Sequence, residues 1–395
     1  MGNAIEKKVD GLPGIDRRIR VMVVDDSVVV RRLIMRVLEE DPLIEVVGAA
    51  SNGAVALKKI PELKPDILTL DIEMPEMDGL ETLMHLRQAH PGLRVIMFST
   101  LTERGARATI DSLLRGASEY VTKPSNTGQM EESIERLRHF LLPKLKQFYI
   151  RASEAVAQPH VLPASNRVTD ASVSVAKPKA QPAMANRSAA IKANGALPIR
   201  PRARRFRLVA IGVSTGGPTA LTELLPTIPA DFPLPIAIVQ HMPPMFTQFL
   251  AERLDAKSLI HVVEAQDGMV IEAGTAYLAP GDYHMRFEKK AGQTRVVLDQ
   301  GPAENSCRPA VDAMLRSAAE VFEGDVLVAI LTGMGHDGRI GAAEIKRRGG
   351  YVIAQDAESS VVWGMPGAVV EAGLADQVTG LGTMGANIVS EVGKA

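Results

Sequence analysis

The sequence predicts two α/β domains, each built on a mainly parallel sheet, joined by a long linker. Its 395 residues exceed the roughly 100–200 residues of one typical domain. Two series of short apolar runs alternate with stretches of helical periodicity, which favours parallel sheets. A segment without apolar periodicity separates the two series. The expected boundaries are residues 1–19 for a flexible N-terminus, 20–141 for the first domain, 142–205 for the linker and 206–395 for the second domain.

Composition and charge limit the class of protein. Apolar residues make up 46% of the chain and the net charge is -1, which is typical of a globular protein and gives no argument for a nucleic-acid partner. The N-terminal segment lacks the apolar core of a signal peptide, and no apolar run reaches about 18 residues. The single cysteine, Cys307, fits a reducing compartment, and nothing marks it as reactive. We therefore expect a soluble cytoplasmic protein that does not insert into a membrane.

The first domain begins with the run RVMVVDD, which predicts a buried strand from Arg20. A helix is predicted from Ser27 to Glu40, because apolar residues recur on one face. The runs IEVVGAA, DILTLDI, RVIMFST and EYVTKP predict four more strands with helical segments between them. Five strands alternating with helices predict a doubly wound parallel sheet, whose ligand site lies beyond the carboxyl ends of the strands.

The segment from about Leu142 to Arg205 is rich in Ala, Pro, Ser and Asn and in basic residues, with acids after position 150 only at Glu154 and Asp170. It cannot bury enough apolar surface to offset the entropy lost on ordering. Two interpretations stay open: a flexible linker, or a tether that docks on an acidic partner.

The second domain begins at Phe206. Strands are predicted in RLVAIGVS, LPIAIVQHM, HVVEA, TAYLAP, TRVVLD, DVLVAILTGMG and GYVIAQD. Helical stretches are predicted after Gly217, after Pro309 and after Gly341. This pattern indicates a second doubly wound α/β sheet, mostly parallel.

Polar residues stand at the strand ends of the first domain. Asp25 and Asp26 end the first strand, and Asp71 ends the third. Three clustered carboxylates repel one another unless a hard cation such as Mg²⁺ lies between them. Ser99 and Lys123 end the fourth and fifth strands, where they could contact a phosphoryl group on a carboxylate. The alternative is a solvated acidic rim, which this combination of five residues disfavours.

The motifs VDDS, LDIEMPEMDG, FST and VTKP resemble those of response-regulator receiver domains over about residues 20–140. The resemblance implies a flavodoxin-like (βα)5 domain in which Asp71 is the phosphoacceptor. It also implies a Mg²⁺ site formed by Asp25, Asp26, Asp71 and the backbone carbonyl of Glu73. The conformational switch would consist of Ser99, Tyr120 and Lys123.

The second domain contains the run GVSTG, in which Ser214 follows a buried strand and precedes a helix. This fits the G-x-S-x-G pattern of serine hydrolases, and free N–H groups at the helix start favour negative charge there. A glycine-rich turn of this kind also binds phosphates or dinucleotides. On this motif alone, a hydrolase and a nucleotide site remain open.

Two further strand ends favour a hydrolase. His241 follows the second strand of this domain, and Asp337 lies in a glycine-rich loop after a later one. Together with Ser214 they offer the nucleophile, base and orienting carboxylate of a catalytic triad. The order Ser, His, Asp differs from the Ser, Asp, His order of α/β-hydrolases, so a different fold is expected. His284 and His336 remain alternatives for the base.

The motifs GVSTGGP, QHMPP, APGDYH, CRPAVD, LTGMGHDG and WGMPGAV are similar to the catalytic domain of the protein-glutamate methylesterases of bacterial chemotaxis. The resemblance implies a phosphorylation-activated methylesterase that demethylates chemotaxis receptors and deamidates receptor glutamines. It assigns the triad to Ser214, His241 and Asp337. The loop at Met334 would supply a backbone N–H to the oxyanion hole, and Thr215 would support the site. The esterase chemistry needs no cofactor, and a monomer is expected.

Three rival functions make different predictions for the same sequence. A DNA-binding response regulator predicts a compact basic helix-turn-helix after the linker, and the second series of strands does not fit it. A nucleotide-dependent enzyme would use GVSTGG to bind phosphate. A receiver-linked regulatory binding module would keep the hydrolase fold with an inactive site.

Overall fold

The computed structural model of the protein describes residues 17–123, 130–157 and 205–394. The first domain alternates strands and helices along the chain. Its strands are β1 (Ile19–Val24), β2 (Ile44–Ala50), β3 (Ile67–Asp71), β4 (Arg94–Ser99) and β5 (Glu119–Thr122). Its helices are α1 (Val28–Glu39), α2 (Gly53–Leu63), α3 (Gly79–Ala89), α4 (Glu103–Leu114) and α5 (Met130–Ala157).

The first sheet has the order β2-β1-β3-β4-β5, and all neighbours are parallel. The chain adds β2 on one side of β1 and β3 on the other. The carboxyl ends of β1 and β3 therefore lie side by side, as the alternating pattern predicted. Ser27 caps α1 by accepting a hydrogen bond from the Val30 amide at 3.3 Å, which explains why the helix starts one residue after the predicted Ser27. β1 starts at Ile19, one residue inside the N-terminal segment predicted as flexible.

Helix α5 extends the first domain beyond its predicted end. Residues 142–157, which were predicted to belong to the linker, continue this helix although it contains Pro143. The physical reason is apolar burial, because Leu141, Leu145 and Phe148 follow one another on one face and are buried. The rest of the predicted linker, residues 158–204, lies outside the described residues.

The second domain contains a larger sheet. Its strands are β6 (Leu208–Val213), β7 (Ile236–Gln240), β8 (His261–Glu264), β9 (Thr275–Leu278), β10 (His284–Lys290), β11 (Gln293–Asp299), β12 (Val326–Ile330), β13 (Tyr351–Gln355) and β14 (Gln377–Thr379). Its helices are α6 (Gly217–Leu224), α7 (Phe246–Asp255), α8 (Val311–Phe322), α9 (Arg339–Arg347), α10 (Met365–Glu371) and α11 (Leu381–Gly393).

Seven strands form a parallel sheet in the order β14-β13-β12-β6-β7-β9-β8, and β10 with β11 forms a separate antiparallel hairpin. The central strands β6, β7 and β12 are completely buried, which matches their continuous apolar runs. β6 lies between β12 and β7. The residues that follow these three strands therefore meet at one edge of the sheet.

Helix α4 of the first domain packs against α6 and α7 of the second. The Thr219 hydroxyl donates to the Leu113 carbonyl at 3.1 Å. Arg253 pairs with Asp111 at 2.8 Å. Because α6 follows β6 and α7 follows β7 in the chain, this interface touches the two helices that extend from the site described next.

Candidate functional site

Ser214 lies at the end of β6, in a tight turn that leads into α6. Its amide donates to the Thr332 carbonyl at 3.0 Å, and its carbonyl accepts from the Gly217 amide at 2.8 Å. Gly216 has a φ of 78°, which a residue with a side chain rarely adopts. The turn thus holds a half-buried serine immediately before a helix N-terminus.

His241 and Asp337 are in direct contact. His241 follows β7, and Asp337 lies in the loop between β12 and α9. The Nε2 atom of His241 is 2.8 Å from Oδ2 of Asp337. Both side chains are shielded, with exposed fractions of 11% and 2%. Because Asp337 occupies Nε2, Nδ1 is the nitrogen left to accept a proton.

Backbone amides hold the Asp337 carboxylate in place. The amides of Val311 and Asp312, in the first turn of α8, donate to it at 2.7 and 3.0 Å. The Gly338 amide donates at 2.9 Å. Asp337 thus caps the N-terminus of α8, where the helix dipole favours a negative charge.

The electrostatics of the pair favour the ionised carboxylate and the protonated imidazole. Burial opposes ionisation of Asp337, but the hydrogen bond from His241 and the α8 amides hold its pKa below the ordinary value. Burial of His241 lowers its pKa. The hydrogen bond to Asp337, followed by the electrostatic influence of the nearby Cys307 side chain, outweighs burial and raises the pKa to about 10. Only the neutral imidazole can take a proton, so this pair predicts activity that increases with pH.

The structure brings Ser214 and the His241–Asp337 pair to adjacent strand ends, but no hydrogen bond joins the Ser214 hydroxyl to His241 within the described residues. The link is made by the backbone, since the His241 amide donates to the Val213 carbonyl at 3.3 Å. Catalytic hydrogen bonds of this type are commonly long without substrate. The prediction that these three residues form a triad therefore rests on their placement.

Met334 and Thr215 line the same edge of the sheet. Met334 is 42% exposed, and its backbone N–H has no acceptor among the residues that the structure describes. A free N–H beside the serine turn is what an oxyanion hole requires. Thr215 is buried, and its carbonyl accepts the Thr332 hydroxyl at 2.9 Å.

Two residues that support the serine turn were not predicted. The Gln240 amide donates to the Ser214 carbonyl at 2.9 Å. Thr332 also accepts from the Val362 amide at 2.9 Å, which ties the turn to the loop before α10. A sequence signal existed for both, because each lies next to a strand-end motif: Gln240 precedes His241, and Thr332 begins TGMGHDG.

The alternative histidines do not fit the role of base. His284 is completely buried and uses both ring nitrogens on the backbone. Its Nε2 bonds the Pro302 carbonyl at 3.0 Å and its Nδ1 accepts from the Ala310 amide at 3.2 Å. His336 is exposed beside Asp337. The geometry favours His241.

The acidic residues of the first domain form a cluster. Oxygen atoms of Asp25, Asp26 and Asp71 lie within 4.8 Å of one another. The Lys123 ammonium is 3.1 Å from Asp25 and 2.7 Å from Asp71. Burial raises the pKa of Asp71 to about 6, although Lys123 opposes the shift. A second cation would relieve the remaining repulsion among three carboxylates, so the donor set fits Mg²⁺. The Glu73 amide donates to Asp71 at 3.3 Å, which places this residue beside the cluster.

The predicted switch residues extend from this cluster toward the second domain. The buried Ser99 hydroxyl donates to the Gly105 carbonyl of α4 at 3.0 Å, so α4 holds it. Tyr120 is buried and stacks on Phe246, the first residue of α7, with ring centroids 5.1 Å apart. One of the three predicted switch residues therefore lies in the interface between the domains.

Comparisons with known proteins match both domains. A family model described as CheB methylesterase matches residues 209–388, and one described as response regulator receiver domain matches residues 21–135. The protein-glutamate methylesterase/protein-glutamine glutaminase of Trichodesmium erythraeum (strain IMS101) is 47% identical over 376 residues, which are 95% of this chain and 99% of the relative.

The protein of the same name from Thermotoga maritima is 41% identical over 363 residues, 92% of this chain and 95% of the relative. The crystal structure of the Thermotoga maritima CheB methylesterase catalytic domain is 45% identical, with a TM-score of 0.46. The matched region is 47% of this chain and 98% of the crystallised chain.

Among the residues that the structure describes, no helix combines the length and the apolar character needed to cross a membrane. From its two matching domains and its full-length relatives, the chain belongs to the CheB-type protein-glutamate methylesterase/protein-glutamine glutaminase family.

Proposed function

We propose that this chain hydrolyses γ-glutamyl methyl esters of chemotaxis receptors, with Ser214 as nucleophile, His241 as base and Asp337 as the orienting carboxylate. The 2.8 Å contact between His241 and Asp337, formed beside the Ser214 turn, carries the proposal. A regulatory module with an inactive site would not need a buried imidazole–carboxylate pair next to a half-buried serine. The same fact disfavours a nucleotide site.

In this mechanism, Nδ1 of His241 takes the proton of Ser214 as Oγ attacks the ester carbonyl carbon. The Met334 N–H donates to the resulting oxyanion, a contact whose loss typically costs ~10²–10³ in rate. The tetrahedral intermediate collapses, the bond to the methoxy group breaks, and methanol leaves with the proton from His241. Water, deprotonated by His241, then releases the glutamate carboxylate and restores Ser214. Asp337 stays ionised and stabilises the imidazolium.

The same acyl chemistry extends to receptor glutamines. There Ser214 attacks the side-chain amide carbon, His241 protonates the leaving nitrogen, and ammonia takes the place of methanol. Hydrolysis of the common acyl-serine intermediate again yields glutamate. One site therefore accounts for both activities in the name of the family.

The first domain controls this site through phosphorylation of Asp71 by a chemotaxis histidine kinase. Asp25, Asp26, Asp71 and the Glu73 carbonyl would hold Mg²⁺, which supplies charge neutralisation for the incoming phosphoryl group. Lys123 pairs with Asp71 in the absence of the phosphoryl group and can follow it afterwards.

Three observations support a route from Asp71 to the active site. Ser99 is held by α4, Tyr120 stacks on the start of α7, and α4 packs on both α6 and α7. We propose that the unphosphorylated domain shields the cleft and that phosphorylation shifts the equilibrium toward an open form. A difference of about 1–3 kcal/mol between the two forms corresponds to roughly 5–150-fold activation. We place the protein in the cytoplasm, where the methylated parts of the receptors are accessible. We also propose that it acts as a monomer.

Ser214→Ala tests the esterase proposal. Methanol release from methylated receptor membranes, measured with phosphodonor and Mg²⁺, is expected to fall by at least ~10³-fold. Ser258→Ala, in the segment after α7, is the control and should keep wild-type activity. Methanol release by folded Ser214→Ala protein at the wild-type rate would refute the assignment.

A further inference from the structure

The turn formed by residues 304–307 contacts two buried carboxylates, those of Asp312 and Asp337. The amides of Glu304 and Cys307 each donate to the other's carbonyl, at 3.0 and 2.8 Å. The two residues between them have positive φ values, 52° at Asn305 and 63° at Ser306. Asparagine is common in two-residue turns of this kind. The turn is anchored to α8 by the Glu304–Arg316 ion pair at 2.5 Å.

The Asn305 side chain does more than fit the turn. Its amide nitrogen is 2.9 Å from Oδ1 of Asp337 and 3.1 Å from Oδ2 of Asp312. Asp312 is only 1% exposed and Asp337 only 2%. The NH₂ group has two hydrogens, so it can donate to both carboxylates at once.

The two carboxylates oppose each other electrostatically. Burial, followed by the charge of Asp337, raises the pKa of Asp312, against hydrogen bonds from the Gly341 amide and Asn305. The other charged groups that act on Asp337 are His241 after β7 and Arg316 on α8. Removing the bridging amide would leave the pair with less stabilisation of its charged form. The pair would then take up a proton at higher pH.

We propose that Asn305 is a positioning residue for the esterase reaction. Its side-chain amide bridges Asp312 and Asp337, which keeps the Asp337 carboxylate ionised and oriented toward His241. This proposal rests on the assignment of Asp337 to the reaction. It assigns Asn305 no contact with the substrate. The bridge acts by holding the carboxylate that stabilises the imidazolium.

The test compares Asn305→Gly with Asn305→Asp in the full-length protein. Glycine accepts the positive φ, so it keeps the turn and removes only the amide. Aspartate also tolerates this backbone but adds a third carboxylate. The assay is methanol release from methylated receptor membranes with phosphodonor and Mg²⁺ between about pH 4.5 and pH 8, a window that includes the expected titration of the carboxylate pair. Ser306→Gly, at the neighbouring positive φ, is the matched control.

We expect Asn305→Gly to lower kcat about 10-fold or more, the usual effect of losing a hydrogen bond to a charged group, with KM within about twofold. The ratio of wild-type to variant activity should increase as pH falls, because the variant carboxylates are protonated first. Asn305→Asp should give a larger ratio at every pH, and Ser306→Gly should match the wild type.

Wild-type kcat for Asn305→Gly, or a ratio that does not change with pH, would overturn the proposal. Asp337→Asn separates this failure from failure of the triad. If Asp337→Asn keeps wild-type activity, the assignment of Asp337 is wrong and this inference falls with it. If Asp337→Asn is inactive while Asn305→Gly is fully active, only the role of Asn305 is refuted.

Discussion

Arg107 is the residue through which the interface between the domains can be tested most sharply. It lies on α4 and pairs with Glu252 on α7 at 3.1 Å, with both side chains about half exposed at 48% and 47%. Its guanidinium also lies 3.9 Å from the centroid of the Phe249 ring. Both contacts cross from the first domain to the second, so under the proposed mechanism they would stabilise the form in which the first domain shields the cleft.

The size of the effect follows from these two contacts. An exposed ion pair contributes about 0.2–1 kcal/mol, and a cation–π contact at an exposed site about 0.5–1 kcal/mol. Arg107→Ala should therefore destabilise the closed form by about 0.7–2 kcal/mol, which changes the equilibrium roughly 3–30-fold. Methanol release without phosphodonor should increase by up to that factor. With phosphodonor and Mg²⁺ the rate should stay within about twofold of wild type.

Arg138→Ala is the control for this experiment. Arg138 is on α5 and pairs with Glu40 at 2.7 Å within the first domain, so its removal costs an ion pair without touching the second domain. It should leave the basal rate unchanged. A basal rate for Arg107→Ala that equals that of Arg138→Ala, or falls below it, would refute inhibition through this interface.

Three further predictions concern the two sites. Cys307→Ala removes a nearby side chain that helps to raise the pKa of His241, so the rise of kcat/KM with pH should move to lower pH. Gly217→Ala should lower the free energy of unfolding by about 1–3 kcal/mol and reduce kcat, because the added Cβ would lie 1.8 Å from Oε1 of Gln240, whose amide holds the Ser214 carbonyl. Lys123→Met leaves two buried carboxylates without their cation, so it should lower Tm, and Mg²⁺ should restore Tm more in the variant than in the wild type.

Each of these predictions has a result that contradicts it. A pH profile of Cys307→Ala that is unchanged or displaced to higher pH would exclude the thiol as a partner of His241. Gly393→Ala, where a Cβ meets open space, is the control for Gly217→Ala, and equal Tm and kcat in the two variants would contradict the packing argument. For Lys123→Met, an equal gain in Tm from Mg²⁺ in variant and wild type would show that the ion does not replace the lysine.

Much of the fold could be predicted because strand and helix periodicity are local properties of the sequence. The strand-end rule placed Asp25 and Asp71 together, and likewise His241 and Asp337, because parallel strands present their carboxyl ends at one edge. The end of α5 could not be predicted from composition. Its last turns are Ala- and polar-rich, and the buried contacts of Leu145 and Phe148 depend on the rest of the domain.

The support of the site was also beyond sequence reasoning. Asn305 and Asp312 approach Asp337 only because a turn and a helix N-terminus from another part of the chain close over it. The contact of Cys307 with His241 arises from the same turn. Pairing of Tyr120 with Phe246 requires two domains to meet, which no single-domain motif encodes.

The central claim, that phosphate on Asp71 controls a reaction at Ser214, is tested most directly by one assay. Methanol release from methylated receptor membranes would be measured for wild type, Asp71→Asn and Ser214→Ala, each with and without phosphodonor and Mg²⁺. The account predicts activation of the wild type by roughly 5–150-fold, basal activity without activation for Asp71→Asn, and a rate at least ~10³-fold below wild type for Ser214→Ala. Activation of Asp71→Asn by the phosphodonor, or methanol release by folded Ser214→Ala at the wild-type rate, would contradict it.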